Sequence, residues 1–152
     1  MDDAMKRKIL ALLDGHRIMT IATLRPDGWP QATTVGYVND GLVLWFLCGV
    51  DSQKAKNLAR DDRVSITIDH DTPDIMSISG LSMAARAQRV TDRAEVQKVL
   101  GMLPLKYADA PPSTAQMQMP GPDEIAVFRI APEVISVLDY AQGFGHTDLV
   151  SC

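Results

Sequence analysis

Ile21-Ala22-Thr23-Leu24-Arg25-Pro26-Asp27-Gly28-Trp29-Pro30-Gln31-Ala32-Thr33-Thr34-Val35 decides how the chain is read. It opens inside a β-rich run, Ile18–Leu24, that is apolar on both faces. Arg25-Pro26-Asp27-Gly28 follows with turn chemistry: Pro fixes φ and Gly reaches positive φ without steric cost. Gln31–Val38 then reads as a second strand. A connection this short joins antiparallel neighbours, not parallel ones.

Toward the C-terminus the strand signals continue. Asn39-Asp40-Gly41 is another tight turn, and Leu42–Cys48 is a third strand, apolar enough to be buried on both faces. The three together predict an antiparallel meander. Asp51-Ser52 caps a short helix to about Arg60, with Ala55, Leu58 and Ala59 facing inward. Arg63–Asp69 alternates: Val64, Ile66 and Ile68 on one face, Ser65, Thr67 and Asp69 on the other. Asp71-Thr72-Pro73-Asp74 breaks the chain. Ile75 to about Val90 reads as one long strand with Gly80 as a bend or bulge. Asp92 and Glu95 form a capping box opening a helix to about Leu103. Pro104–Pro122, with Met117 and Met119, has no strong periodicity and reads as a lid, partner contact or mobile loop. Glu124–Ile130 and Val134–Tyr140 read as two strands joined through Pro132. The tail, Ala141–Cys152, contains Gly143-Phe144-Gly145-His146. At the other end, residues 2–14 predict a helix: Asp2 and Asp3 suit its positive end, Met5, Ile9, Leu12 and Leu13 recur at helical spacing, and Gly15 stops it.

The expectation is a mainly β (α+β) fold: a six- to seven-stranded antiparallel split β-barrel with short flanking helices, in one domain spanning 1–152. Closing such a sheet removes exposed edges. The βαβ alternation of a doubly wound sheet is missing.

Composition agrees. At 152 residues, 46% hydrophobic and 22% charged, the chain has the make-up of one soluble domain. Lys plus Arg is 15 against 19 for Asp plus Glu, a net charge of -4. That excludes a dedicated nucleic-acid surface, which would cluster Lys and Arg. The longest strongly apolar run, Leu42–Val50, is far short of the ~20 residues of a membrane helix. Met1-Asp2-Asp3 is not the basic start of a signal peptide. Cys48 and Cys152 make no metal-spaced pair, so reduced thiols in a cytoplasm are expected.

The segment richest in chemistry is Ser52-Gln53-Lys54-Ala55-Lys56-Asn57-Leu58. A helix start presents unpaired N–H groups and partial positive charge. A Ser hydroxyl and a Lys ammonium added there suit a phosphate. The alternative is a capped surface helix with solvated lysines.

Taken with the hairpin at 21–35, this segment resembles the pyridoxamine 5′-phosphate oxidase-like flavoproteins, the FMN-binding split β-barrel superfamily. The shared pattern is an apolar strand ending in Ala-Thr, an Asp-Gly-x-Pro hairpin, a flavin-lining strand, and an aromatic-rich strand running into Ser-x-Lys and Asn-Leu. The resemblance covers roughly residues 5–140. It implies a non-covalent FMN, a homodimer with the cofactor at the subunit interface, and a small-molecule substrate. It implies that Thr33, Thr34 and Val35 line the isoalloxazine, that Leu47 and Cys48 sit beside the ribityl chain, and that Ser52, Gln53 and Lys54 hold the phosphate. The departures are specific. Ala32 and Tyr37 stand where the pyridoxamine phosphate oxidases carry Arg and Lys, Gln53 stands for the Arg of Ser-Arg-Lys, and Phe144-Gly145-His146 lacks the Arg of Arg-x-His. They favour an FMN oxidoreductase of unassigned substrate over the vitamin B6 enzyme, and no catalytic residue is assigned.

Two alternatives stand beside that reading. One is a split barrel holding haem, for which His146 is the candidate axial ligand, or the deazaflavin F420, which would want a basic groove. The other is a non-catalytic flavin-binding protein. His146 could otherwise reach the flavin edge from the tail, or simply pack there. His16 and His70 lack a ligand partner at metal spacing, Arg86 and Arg89 read as solvated or dimer-facing, and Trp29 and Trp45 read as core or interface.

Overall fold

The computed structural model describes residues 1–115 and 120–152; Met117 and Met119 of the expected irregular segment lie outside the described residues. Helix α1 (Asp3–Gly15) forms as expected, with the Asp2 carboxylate accepting from the Met5 N–H and Ile9 and Leu13 buried. The strands are β1 (Ile18–Leu24), β2 (Pro30–Gly36), β3 (Val38–Asp40), β4 (Val43–Gly49), β5 (Arg63–Asp69), β6 (Ser79–Arg89), β7 (Ile125–Asp139) and β8 (Thr147–Ser151). Helices α2 (Gln53–Arg60), α3 (Arg93–Lys106) and the short α4 (Pro112–Ala115) lie between them. All ladders are antiparallel, in the order β2-β1-β5-β6-β7-β4-β3, with β8 added to β7.

The expected antiparallel split barrel with flanking helices is what forms. Among the described residues its strands number eight, not six or seven: β3 separates from β2 and the tail adds β8, while the two strands expected on either side of Pro132 merge into β7. The three-stranded meander does not form. β2 ends at Gly36, and Tyr37 leaves the ladder: its N–H bonds Arg17 O and its hydroxyl bonds Leu13 O. β3 and β4 then make a separate hairpin at the far end of the order, where β4 pairs with β7. A strand apolar on both faces needs cover on both. β4 finds it by turning Leu44 and Phe46 into the main core and Trp45 and Leu47 toward α3.

Five further expectations are corrected. Ile75–Ser77 is a 3-10 turn capped by Asp74, so the long strand starts only at Ser79. Gly80 is not the bulge; a Cβ there would sit 2.5 Å from Ile68 O, so glycine is required by close approach of β5. The register shift lies between Ala84 and Ala85, opposite Pro132–Val134. There Pro132, which has no N–H to give, is absorbed inside one continuous strand. Asp92 caps α3 through the Ala94 N–H, but Glu95 does not reach back; its carboxylate accepts from Trp45 Nε1 at 2.9 Å. α3 also runs past Pro104 to Lys106, and part of the segment expected to be irregular is therefore helical.

The main core fills the inside of the curl with Met19, Ile21, Ile66, Ile68, Leu81, Met83, Phe46 and Phe128. A second cluster, Val38, Trp45, Val90, Val99 and Val127, lies under α3. The opposite outer face is uncovered. Register aligns Thr20, Ala22, Ser65, Thr67, Ser82 and Ala84 across β1, β5 and β6 as a belt of small uncharged residues. Among the described residues, no helix is long and apolar enough to cross a membrane.

Candidate functional site

β2 is an edge strand: β1 pairs with one side of it, and no described strand pairs with the other. Its free edge leaves main-chain N–H and C=O groups open to a planar partner. Alternation turns Thr33 and Val35 inward, where both are half-buried, and Thr34 outward beside Thr20 of the small-residue belt. Thr33 Oγ1 is buried with no hydrogen-bond partner among the described residues.

α2 begins beside the start of β2. Ser52 is its N-cap, accepting from the Ala55 N–H at 3.2 Å. That hydroxyl keeps its own proton free, and the N–H groups of Gln53 and Lys54 have no intrahelical acceptor. Lys54 is half-buried and makes no ion pair among the described residues. Gln53 lines a cleft of about 460 Å³ with Arg25, Pro26, Asp27 and Gln31. The hairpin turn at 25–28 and the start of α2 are thus two walls of one concavity.

A buried amide holds the walls together. Asn57 is 0% exposed. Its Nδ2 donates to Thr23 Oγ1 at 3.0 Å and to Gln31 Oε1 at 3.4 Å, and its Oδ1 accepts from Gln53 Nε2 at 2.8 Å. Asn57, not the expected Ala59, occupies the inward face of α2 with Ala55 and Leu58. Arg60 adds a bond to Leu24 O at 2.5 Å.

The structure therefore brings Gln53 together with Gln31 at the start of β2, while Ser52 caps the same helix and Lys54 lies in its first turn. Cys48 packs against the main core, half-buried. Leu47 does not join the cleft; it packs with Val127 in the cluster under α3. His146 lies on the tail before β8, its Nε2 3.1 Å from Asp148 Oδ2. His16 and His70 meet each other at 3.0 Å, which their sequence separation gave no sign of. Among the described residues, no group of three or more His, Cys, Asp or Glu could hold a metal ion. Sequence reading passed over Arg25, Gln31, Thr23 and Asn57 as site residues. The available signal was a polar residue at an inward position in two elements, Thr23 in β1 and Asn57 in α2, which buried polar groups adopt only with partners.

The donor set suits a phosphate ester. Ser52, two helix-start N–H groups and Lys54, which has no carboxylate partner among the described residues, are the kinds of donor that an anion site uses, and an open strand edge suits a flat ring. Tyr37 and Ala32 contribute nothing there: Tyr37 is buried with its hydroxyl on Leu13 O, and Ala32 is an exposed methyl.

A curled antiparallel sheet with its two end strands adjacent in sequence, and a capped helix set against one of them, defines a split-barrel protein. The family profile described as pyridoxamine 5′-phosphate oxidase matches residues 5–139, and the chain belongs to that family. Solved structures agree on the fold. A putative pyridoxamine 5′-phosphate oxidase from Listeria innocua superposes with a TM-score of 0.72 at 22% identity, over 89% of this chain and 98% of that one. A conserved hypothetical protein from Mycobacterium tuberculosis gives 0.74 at 26% identity, over 99% and 93%. A haem storage protein from Vibrio cholerae gives 0.65 at 20% identity, over 84% and 89%.

Proposed function

We propose that the protein is an FMN-binding oxidoreductase acting on a small molecule, with a substrate other than that of the pyridoxamine phosphate oxidases. The observation that supports this reading is the cleft that Gln53 lines with Arg25 and Gln31, at the first turn of the helix that Ser52 caps and Lys54 belongs to, with β2 at the edge of the sheet. Ser52, Lys54 and the N–H groups at the start of α2 would hold the phosphate, and the main chain at 33–35 would orient the ring. Bound FMN supplies the redox chemistry, and the protein supplies anchoring, orientation and exclusion of water.

A second copy of the chain completes the site. The belt of Thr20, Ala22, Ser65, Thr67, Ser82 and Ala84 carries no charge and lets two sheets approach closely. It runs to Thr34 at the edge where the ring would lie. The homodimer thus supports the cofactor as well as the fold. Cys48 and Cys152 are free thiols, which suits a reducing cytoplasm.

Haem is the second reading. It is favoured by the likeness to the Vibrio cholerae haem storage protein and by a half-buried His146 on the tail. The two separate on the absorbance spectrum of purified protein and the identity of what denaturation releases. Flavin bands and released FMN support the first reading. A Soret band lost on His146→Ala overturns it in favour of the second. Protein that is colourless and unaffected by added FMN overturns it as well.

A further inference from the structure

We propose that Asn57 is a positioning residue for the cofactor phosphate, turning the Gln31 amide so that its –NH2 faces the cleft and making Gln31 and Arg25 phosphate ligands alongside Ser52 and Lys54. The proposal rests on the flavin reading above and extends it to residues outside the Ser52-Gln53-Lys54 motif.

The argument starts from the two unlike ends of an amide. Asn57 is wholly buried, so each end must be satisfied within the protein. Its donor end serves Thr23 Oγ1 and Gln31 Oε1, and its acceptor end serves Gln53 Nε2. The two glutamines are thus fixed with opposite polarity. Gln31 has its oxygen engaged and both N–H groups left for the cleft. Gln53 has one N–H engaged and its oxygen left. A lining that offers a donor on one side and an acceptor on the other suits a phosphate ester of a hydroxyl-bearing chain. The phosphate oxygens take the Gln31 N–H groups, and a chain hydroxyl donates to Gln53 Oε1.

Arg25 stands on the rim of the same cleft, across from Gln53. Gln53 occupies the position where the Ser-Arg-Lys pattern has its arginine, so Arg25 returns a guanidinium from the hairpin side. Asp27 shares the cleft and opposes it. Its Oδ2 accepts from Arg25 Nη2 at 2.8 Å and its Oδ1 from the Trp29 N–H at 3.0 Å. Arg25 keeps further N–H donors after that bond. What it and Gln31 add is directed hydrogen bonding more than net field.

The test compares FMN with riboflavin, which has the same ring and no phosphate, by flavin fluorescence titration of flavin-free full-length protein. Asn57→Leu removes both amide ends without adding charge. It is expected to weaken FMN binding by roughly tenfold or more, the size of one directed bond to a charged group, and to leave riboflavin affinity unchanged. Gln31→Leu, at a half-buried position, is expected to do the same and carries the test if Asn57→Leu does not fold. Asp27→Asn keeps the turn bond to Trp29 and removes the opposing charge, so it tightens FMN binding alone. An unchanged FMN-to-riboflavin preference in Gln31→Leu overturns the proposal while leaving the flavin reading intact. Wild-type protein that binds neither flavin overturns the flavin reading. In that case, side-chain amide resonances of Gln31 and Gln53 that shift with inorganic phosphate still support the anion cleft, and resonances that do not shift overturn it too.

Discussion

The buried Tyr37 hydroxyl donates to Leu13 O at 2.6 Å, at the point where the sheet's two end strands meet in sequence. Lys106 Nζ donates to the same carbonyl at 2.7 Å and lies 4.6 Å from the centre of the Tyr37 ring. One carbonyl at the end of α1 therefore gathers the β2–β3 corner and the end of α3.

This corner sets the alkaline limit of stability. Burial, with smaller contributions from Tyr107 and Asp14, raises the Tyr37 pKa above its ordinary value of 10.0. The folded state then keeps a proton that the unfolded chain loses. Stability is untouched below about pH 10 and falls above it by up to about 1.4 kcal/mol per pH unit. Burial lowers the Lys106 pKa, which acts with the opposite sign and only below 10.5. In urea unfolding between pH 9 and 11, Tyr37→Phe is expected to flatten the alkaline fall. An unaltered slope would assign the effect elsewhere.

Lys54→Ala is expected to weaken FMN binding by about 1.5–3 kcal/mol, the range for hydrogen bonds to charged groups. Thermal stability should barely change, since Lys54 makes no ion pair among the described residues. Fluorescence titration measures the first and calorimetry the second. Equal affinities would remove Lys54 from the phosphate site.

Gly80→Ala places a Cβ 2.5 Å from Ile68 O, which is main chain and has no rotamer in which to yield. β6 must move away from β5, at a cost of about 1–3 kcal/mol. The midpoint of denaturant unfolding reads this directly, and a wild-type midpoint would contradict the close approach.

Glu95→Ala leaves Trp45 Nε1, on a side chain 4% exposed, without its acceptor. The orphaned donor costs about 1–3 kcal/mol. Glu95→Gln keeps an acceptor and should recover most of the loss. Equal destabilisation by both would point to the Arg129 ion pair at 3.6 Å instead.

Ala84→Arg puts a cation in the outer belt, on β6, with β5 and β1 between it and β2. The variant is expected to fold, elute as a monomer with mass confirmed by light scattering, and bind FMN weakly. A dimeric variant would move the proposed subunit contact to another face.

What the sequence disclosed and what it hid divide by range. The β1–β2 hairpin was legible because Arg25-Pro26-Asp27-Gly28 carries its own turn chemistry and the flanking strands need only each other. Helix starts were legible because Asp2, Ser52 and Asp92 cap them locally. The partner of β4 was not, because β7 lies some eighty residues away, and nothing in Leu44 or Phe46 names Ile130 or Phe128. Pro132 suggested a break for a sound local reason, and the register shift beside it removes that reason only in the folded sheet.

The site divides in the same way. Ser52 and Lys54 announce themselves by sitting together at a helix start. Arg25, Gln31 and Asn57 belong to three elements, and each alone looks like an ordinary polar residue. Leu47, which the resemblance sets beside the cofactor, packs in the cluster under α3, because alternation in β4 gives one face to each core.

The fifteen-residue β7 has one more consequence, for the order of events at the ribosome. It pairs with β6, β4 and β8, and among the described residues two otherwise separate groups of strands, β2-β1-β5-β6 and β4-β3, are joined along the sheet only through it. A nascent chain that has not yet delivered Ile125–Asp139 holds two partial sheets, each with an unsatisfied margin ready to stick to a neighbour. Its safe assembly therefore depends on how quickly Ile125–Asp139 emerges.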